Sequence, residues 1–428
     1  MLSLGPFESS PHIAVACSGG PDSLALTLLA NDWARGVGGR VTALVVDHAM
    51  RRESAAEATS VCDRLSEAGI EAVTLTRQGP ALTSDRQAAA RHARYGLMSQ
   101  WCREARVLHL LLGHHRGDQA ETLMLRLGRG SGVDGLASMA AISEGPDVRL
   151  LRPLLDVSRE SLIDFLQVRG TAWVVDPSNE DNSFARVRMR GLLPDLEKEG
   201  ITEPRLAATA RRMARARAAL DCAATDLLAR AVAIYPEGFA LFSPDKLLAA
   251  PEDTGMRALS RLLACIGGSP HGPRMDDLER LYEWLSKGKG GGRTLGGCRL
   301  TRSRGGRILV CRESAAVAEP APAVSGYLWD GRFRISSVES PNVMVGGLGP
   351  SGWAQIRADK PDIDEKGLPA DARIALPAIW RLEEVVKVPH LLYCATSLGK
   401  GAGNELKLTF LPARLLGPAR FAAVPALA

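Results

Sequence analysis

The chain has 428 residues, of which 46% are hydrophobic and 24% charged, and its formal net charge is +5 at pH 7; this is a globular composition, long enough for about three domains. No apolar run approaches the ~20 residues that a membrane span needs, and the N-terminal residues lack the basic and apolar regions of a signal peptide. The eight cysteines are scattered singly without a C-x-x-C pair, which argues against zinc ribbons, redox motifs and disulfide frameworks and favours a cytoplasmic protein.

The first element is a strand that enters a tight turn and a helix. An apolar run at 13–17 leads into Ser18-Gly19-Gly20-Pro21-Asp22-Ser23, and an apolar-periodic stretch follows at 24–33. The glycines allow a sharp turn that leaves main-chain N–H groups open to an anion, and the following helix N-terminus adds partial positive charge. We therefore predict a phosphate-binding turn at residues 18–23, which we call the phosphate loop.

The side chains of the phosphate loop differ from those of other nucleotide loops. No lysine occurs in the first hundred residues, which excludes the lysine-containing ATPase loop. Ser18 and Ser23 are predicted to hydrogen-bond phosphate oxygens, and Asp22 to hold Mg²⁺ against the same oxygens. The alternative is an ordinary Gly-Pro turn in which Ser23 caps the helix.

Strands and helices alternate through the first half of the chain. The predicted strands are 41–46, 71–76, 107–113, 148–151 and 173–175, and the predicted helices are 54–69, 84–105, 119–127 and one capped at Ser158. This alternation predicts an α/β domain with a doubly wound, mostly parallel sheet. Ser18, Asp47-His48 and His114-His115 each follow a strand, so we expect them to converge on one crevice at the carboxyl edge of the sheet.

The second half of the chain has a different pattern. Arginines cluster at 186–217 and again, with lysines, at 287–312, as suits a polyanion, although a solvated helix face would also explain the first cluster. The region 315–324 is a Pro/Ala linker. The predicted segments are the α/β domain at 1–200, a helical arginine-rich connector at 201–230, a small α+β module at 231–314 and a β-rich domain at 325–428.

Charged side chains at two predicted helices are further candidates. Arg91 and Arg94 lie one helical turn apart and could grip phosphates or a carboxylate, or form an exposed basic face. Asp118 and Glu121 share one side of a helix, where they could hold Mg²⁺ or orient an amine; the alternative is a helix cap and its capping-box partner.

A polar loop at 176–183 runs into a helix with arginines at every second position. Because Arg186, Arg188 and Arg190 cannot share one helical face, we expect at least one of them to point inward.

These segments together resemble the tRNA(Ile)-lysidine synthase family of the ATP pyrophosphatase, or PP-loop, superfamily. The resemblance covers residues 12 to about 197 and rests on S-G-G-P-D-S, V-D-H, A-R-H-A-R-Y, G-H-H-x-x-D-Q-A-E-T, R-G-S-G-x-D-G-L, R-P-L-L and D-P-S-N. It implies that ATP adenylates the C2 carbonyl oxygen of the wobble cytidine in an isoleucine tRNA with a CAU anticodon. Free L-lysine then displaces AMP through its ε-amine. No membrane is implied, and the oligomeric state stays open, a homodimer included.

The resemblance also implies roles for individual residues. The implied ATP site is Ser18, Gly19, Gly20, Pro21, Asp22 and Ser23 with Asp47 and His48, and Asp22 is the implied Mg²⁺ ligand. The other implied catalytic residues are His114, Asp118, Glu121 and Arg94, and the implied tRNA contacts are Arg91, Arg186 and Arg190.

Two positions depart from the family pattern: Gly117 replaces the first acid of H-x-x-D-D-Q, and Val187 replaces an amide. The alternatives are another tRNA-modifying relative such as a thiolase, which needs paired cysteines, and a non-catalytic tRNA-binding protein, against which Asp22 and Glu121 argue.

Overall fold

The protein is described here by a computed structural model, and the description covers most of the chain. The described residues are 1–47, 54–76, 86–145, 148–174, 183, 185–288, 290–336, 343–363, 367–395 and 406–417. They divide into two compact units, a first that contains Met1–Ala218 and a second that contains Ala219–Ala419. This division into two units does not test the four segments predicted from the sequence, which stay a prediction.

The first unit is a sheet with helices on both sides. Its strands are β1 (His12–Ala16), β2 (Arg40–Asp47), β3 (Glu71–Thr76), β4 (His109–Leu111), β5 (Ile142–Glu144) and β6 (Arg149–Leu151). Its helices are α1 (Pro21–Gly36), α2 (Ser54–Glu67), α3 (Arg86–Glu104), α4 (Arg116–Leu127), α5 (Val133–Leu136), α6 (Arg159–Val168) and α7 (Ala185–Lys198). A further helix, α8 (Glu203–Ala231), begins in this unit and contains the boundary with the second.

The sheet of the first unit has the order β3-β2-β1-β4-β6-β5, and every neighbouring pair is parallel except β5 with β6. The predicted α/β fold with a doubly wound, mostly parallel sheet is confirmed. Ile13, Ala14 and Val15 are all fully buried, because helices cover both faces of the central strand. The strand order changes direction between β1 and β4, and in such sheets ligands bind at this point of the carboxyl edge.

Two predictions for the first unit need correction. Residues 173–174 of the predicted strand at 173–175 form no strand; Val174 instead donates its N–H to the Gly19 carbonyl oxygen at 2.9 Å. Residue 175 lies outside the described residues. The antiparallel strand β5 was not predicted, because three half-buried residues give little alternation. The cap at Ser158 is confirmed, since its hydroxyl accepts from the Ser161 N–H at 3.2 Å.

The second unit is a mixture of helices and antiparallel sheets. Its helices are α9 (Pro244–Leu248), α10 (Glu252–Gly267), α11 (Met275–Lys287), α12 (Gly349–Asp359) and α13 (Ala370–Arg373). Its first sheet contains β7 (Val232–Tyr235), β8 (Phe239–Phe242), β9 (Arg293–Leu295), β10 (Cys298–Arg302) and β11 (Ile308–Arg312). The remaining strands are β12 (Ala321–Pro322), β13 (Leu328–Trp329), β14 (Phe333–Ser336), β15 (Met344–Gly347), β16 (Pro377–Arg381), β17 (Glu384–Val388), β18 (Tyr393–Cys394) and β19 (Lys407–Phe410).

The strands of the second unit confirm the β-rich character predicted for the C-terminal region. The 11-residue helix α12 was not predicted there, because glycine and proline begin it and mask its periodicity. The predicted Pro/Ala linker contains β12, which pairs with β15, so that part of it is held in a sheet. Across the part of the chain that the structure describes, no helix combines the length and apolarity that crossing a bilayer requires.

Candidate active site

The phosphate loop leaves the central strand and enters α1 through a glycine that nothing larger can replace. Gly19 has φ +80°, and a Cβ built on it would lie 2.4 Å from Cγ2 of Val61. Both the left-handed backbone and the lack of room therefore demand glycine. Pro21 is the first residue of α1, where its missing N–H costs no hydrogen bond. The predicted strand-turn-helix is confirmed.

The two serines of the phosphate loop hydrogen-bond to each other and differ in exposure. The Ser18 hydroxyl lies 3.2 Å from that of Ser23, and Ser18 is exposed whereas Ser23 is buried. The Ser23 hydroxyl accepts from the Ser18 N–H at 3.1 Å and donates to the Gly20 carbonyl at 3.1 Å. Ser23 therefore braces the turn from beneath, and Ser18 presents its hydroxyl to solvent. Direct contact of both hydroxyls with phosphate stays a prediction.

Asp22 occupies the first turn of α1 with an unusual carboxylate. Its Oδ1 is buried and accepts no hydrogen bond within the described residues. Nε of Arg159 lies 3.9 Å from Oδ1, and Nε2 of His115 lies 3.9 Å from Oδ2. Burial raises the pKa of Asp22, and electrostatic interactions with His115 and Arg159 oppose the rise. A carboxylate oxygen left unsatisfied in this way is suited to a cation that arrives with the substrate.

The first turn of α4 brings a second acid to the same place. His115 caps α4: its Nδ1 accepts from the Gly117 N–H at 3.0 Å, and Oδ2 of Asp118 accepts from the His115 N–H at 2.9 Å. The same Oδ2 lies 3.7 Å from Nε2 of His115. Because Nδ1 accepts a hydrogen bond, the neutral ring carries its proton on Nε2, between the carboxylates of Asp22 and Asp118. Asp118 thus does act as a capping-box partner, while it also faces the phosphate loop.

Gly113 allows this approach of α4 to α1. A Cβ on Gly113 would lie 3.1 Å from both the N and Cα atoms of Ser23 and 3.2 Å from the Asp22 carbonyl carbon. The chain leaving β4 therefore passes directly against the backbone of the first turn of α1.

Two arginines of α7 pair with the acids of α4. Nε of Arg190 lies 2.8 Å from Oε1 of Glu121, whose side chain is 2% exposed, and Nη1 of Arg186 lies 3.7 Å from Oδ1 of Asp118. Burial raises the pKa of Glu121, and Arg190 opposes the rise. The prediction that an arginine of this helix points inward is confirmed by Arg190. Glu121 is not the capping-box partner, since Asp118 has that place.

The remaining predicted residues lie around this cluster or outside the described part. Asp47 is the buried last residue of β2, on the edge where Ser18 follows β1 and His114 follows β4. His114 is half-buried in the turn before His115. The guanidinium carbon of Arg94 lies 5.9 Å from the ring centroid of Tyr95 on α3. His48 and the side chain of Arg91 lie outside the described residues.

Sequence reasoning missed the roles of Arg159, Glu203 and His115 at the site. Arg159 reaches Asp22 from the start of α6, and Nε of Arg116 pairs at 2.7 Å with Oε1 of Glu203, from the start of α8. His115 was noted only beside His114, although its ring lies between the two aspartates. Arg159 and Glu203 stand far along the chain from their partners, so local spacing carried no signal. His115 could have been found as a polar residue directly before an apolar helical run.

The donor set fits a magnesium ion that is shared with a nucleotide. Among the described residues, no group of three or more His, Cys, Asp and Glu side chains could hold a metal by itself. Mg²⁺ in nucleotide sites uses one or two carboxylates and completes its shell with phosphate oxygens and water. The unsatisfied Oδ1 of Asp22, beside the phosphate loop, is a fitting protein ligand of that kind.

Comparison with known proteins identifies the family to which the chain belongs. A PP-loop domain family matches residues 3–196. The chain is 39% identical over 386 residues to a tRNA(Ile)-lysidine synthase of Ruegeria pomeroyi, covering 90% of each chain. It is 30% identical to the protein of that name from Orientia tsutsugamushi, covering 92% of each. A third relative of that name, from Bradyrhizobium diazoefficiens, is 40% identical over 269 residues, which are 61% of this chain and 74% of the relative.

Proposed function

Because the chain belongs to the tRNA(Ile)-lysidine synthase family, we propose that it joins lysine to C2 of the wobble cytidine of CAU-anticodon tRNA(Ile). ATP is consumed, AMP and pyrophosphate are released, and the product nucleoside is lysidine. The observation that carries this proposal is the meeting of Asp22, His115 and Asp118 beside the phosphate loop. Free L-lysine and unmodified tRNA meet the enzyme in the cytoplasm.

Adenylation uses the phosphate loop and α1. The loop N–H groups and the Ser18 hydroxyl bind phosphate oxygens at the helix N-terminus. The guanidinium of Arg159, 41% exposed and 3.9 Å from Asp22, adds positive charge at the mouth of this site. Asp22 would hold Mg²⁺, which would supply positive charge to offset the charge on the departing pyrophosphate. Fixed donors that meet this developing charge supply the main rate enhancement.

The lysine half of the reaction uses the acids of α4. Asp118, whose side chain is 15% exposed against 2% for Glu121, binds and orients the ε-amine toward C2. Glu121 is buried and already paired with Arg190, so it fixes α7 against α4 and leaves Asp118 as the accessible carboxylate. Arg186, beside Asp118, contacts the tRNA together with the basic residues that follow it. Arg91 and Arg94 contact tRNA or phosphates from α3.

The decisive experiment supplies ATP, radiolabelled lysine and unmodified tRNA transcripts. We expect lysine to enter the CAU isoleucine transcript with one pyrophosphate released per lysine joined. A methionine tRNA transcript, which has the same anticodon letters, is the matched control and should stay unlabelled. Pyrophosphate release without lysine incorporation, or equal labelling of both transcripts, would contradict the proposal.

A further inference from the structure

We propose that Glu203 is a positioning residue of this site, which holds the first turn of α4 so that His115 and Asp118 face Asp22. The inference rests on the proposed function for its readout, but it is drawn from contacts at the start of α4 and α8. Glu203 would act through its neighbours and would touch neither ATP nor lysine.

The first contact is an ion pair between two helix starts. Arg116 is the first residue of α4, Glu203 is the first residue of α8, and Nε of Arg116 lies 2.7 Å from Oε1 of Glu203. Both side chains are largely shielded, at 28% and 22% exposed. The Arg116 N–H also donates to the Val157 carbonyl at 2.9 Å, two residues before Arg159. The start of α4 is therefore held by two contacts, one with α8 and one with the segment before α6.

The second contact depends on the missing side chain of Gly117. A Cβ on Gly117 would lie 3.3 Å from Oε2 of Glu203, and 2.8 Å from Cε1 and 3.1 Å from Nδ1 of His115. The Glu203 carboxylate and the His115 ring thus share the space above one glycine. Glycine at this position lets both groups approach the backbone. Nδ1 of His115 accepts a hydrogen bond from the N–H of this same glycine.

These contacts predict that Glu203 affects the reaction rate more than it affects the stability of the fold. A partly exposed ion pair contributes little to the free energy of folding, so its loss should barely change the melting temperature. The carboxylate also places negative charge at the positive end of α4, where it favours the helical first turn. If that turn loosens, the His115 ring and the Asp118 carboxylate lose their orientation toward Asp22. Small displacements of such groups reduce the rate far more than they reduce stability.

The test compares Glu203→Ala, Glu203→Gln, Gly117→Ala and the double variant Gly117→Ala/Glu203→Ala in the full chain. We expect Glu203→Ala to lower kcat of lysine-dependent pyrophosphate release about tenfold, with the tRNA Kd and the melting temperature unchanged. Glu203→Gln can still accept from Arg116 and should lose less. The double variant should be no slower than the slower single variant, because both changes act through the His115 turn.

Asp32→Asn is the matched control, because Asp32 pairs with Arg169 at 2.6 Å on the outside of α1 and should keep wild-type kcat. Unchanged kcat in Glu203→Ala would overturn the inference, as would a loss matched by a lower melting temperature or a weaker tRNA Kd. Strictly multiplicative losses in the double variant would also overturn it. Lack of lysine-dependent turnover in the wild-type protein would instead contradict the proposed function.

Discussion

Nε of Arg190 lies 2.8 Å from Oε1 of Glu121, so an arginine of α7 neutralises a carboxylate that is 2% exposed inside the first unit. The other oxygen of Glu121, Oε2, is buried and accepts no hydrogen bond within the described residues. This half-satisfied acid makes the contact between α4 and α7 sensitive to charge, because a buried carboxylate is costly once its cation is removed.

Arg190→Ala should destabilise the protein by about 1–2 kcal/mol at pH 7, less than for a fully buried pair because the Arg190 side chain is 42% exposed. Burial raises the pKa of Glu121, so the folded state keeps this proton to a higher pH than the unfolded chain. The loss of stability caused by Arg190→Ala therefore grows as the pH rises. It disappears below about pH 4, where the Glu121 carboxyl is neutral in the folded and the unfolded state. Melting temperatures of variant and wild type across this range measure it; a difference independent of pH would contradict this reasoning.

Asp22→Asn should lower kcat of pyrophosphate release at least 100-fold, about 2.7 kcal/mol of transition-state stabilisation, because the amide is a poor Mg²⁺ ligand. The tRNA Kd, measured by gel shift, should stay at the wild-type value, since Asp22 belongs to the phosphate loop and is not among the proposed tRNA contacts. Near-normal turnover in this variant would remove Asp22 from the metal site.

Ser23→Ala should weaken ATP binding about tenfold, because the buried hydroxyl that braces Ser18 and Gly20 is lost. Nucleotide affinity by calorimetry measures the effect, and the comparison is Ser18→Ala, which removes an exposed hydroxyl and leaves the brace intact. We expect Ser18→Ala to slow turnover without loosening the turn. If both variants bind ATP like the wild type, neither hydroxyl has the role given to it here.

Gly19→Ala should destabilise the protein by about 2 kcal/mol or more, because the new Cβ would lie 2.4 Å from Val61 in a backbone with φ +80°. Adding Val61→Ala should recover only part of this loss, since it relieves the crowding and not the backbone strain. Thermal unfolding of the two single variants and the double variant separates the two causes. Full recovery would show that crowding alone matters.

The sequence predicted the features that are local along the chain. The phosphate loop, the strands around it and the cap at Ser158 all depend on residues within one turn or strand, and periodicity and capping chemistry identify these. The sheet edge that gathers Ser18, Asp47 and His114 was also predictable, because parallel strands must end on the same side.

The missed features depend on contacts between distant residues. Arg159 and Glu203 reach the site from helices that start far along the chain, and their charges look like ordinary exposed residues of a helix start. The His115 ring approaches both aspartates while its Nδ1 accepts a hydrogen bond from the Gly117 N–H, an arrangement that spacing alone does not specify. Residues 173–174 have strand-like side chains, yet Val174 makes its backbone hydrogen bond to the phosphate loop.

Gly113 affects the distance between the sites of the two proposed half-reactions. Main chain lies against main chain between the end of β4 and the first turn of α1, since the nearest atoms to a Cβ on Gly113 are backbone atoms of Asp22 and Ser23. Non-bonded packing of one backbone segment on another therefore sets how far the end of β4 lies from the phosphate loop. Under the proposed function, we expect the adenylation end and the amine end of the crevice to keep this spacing through both half-reactions.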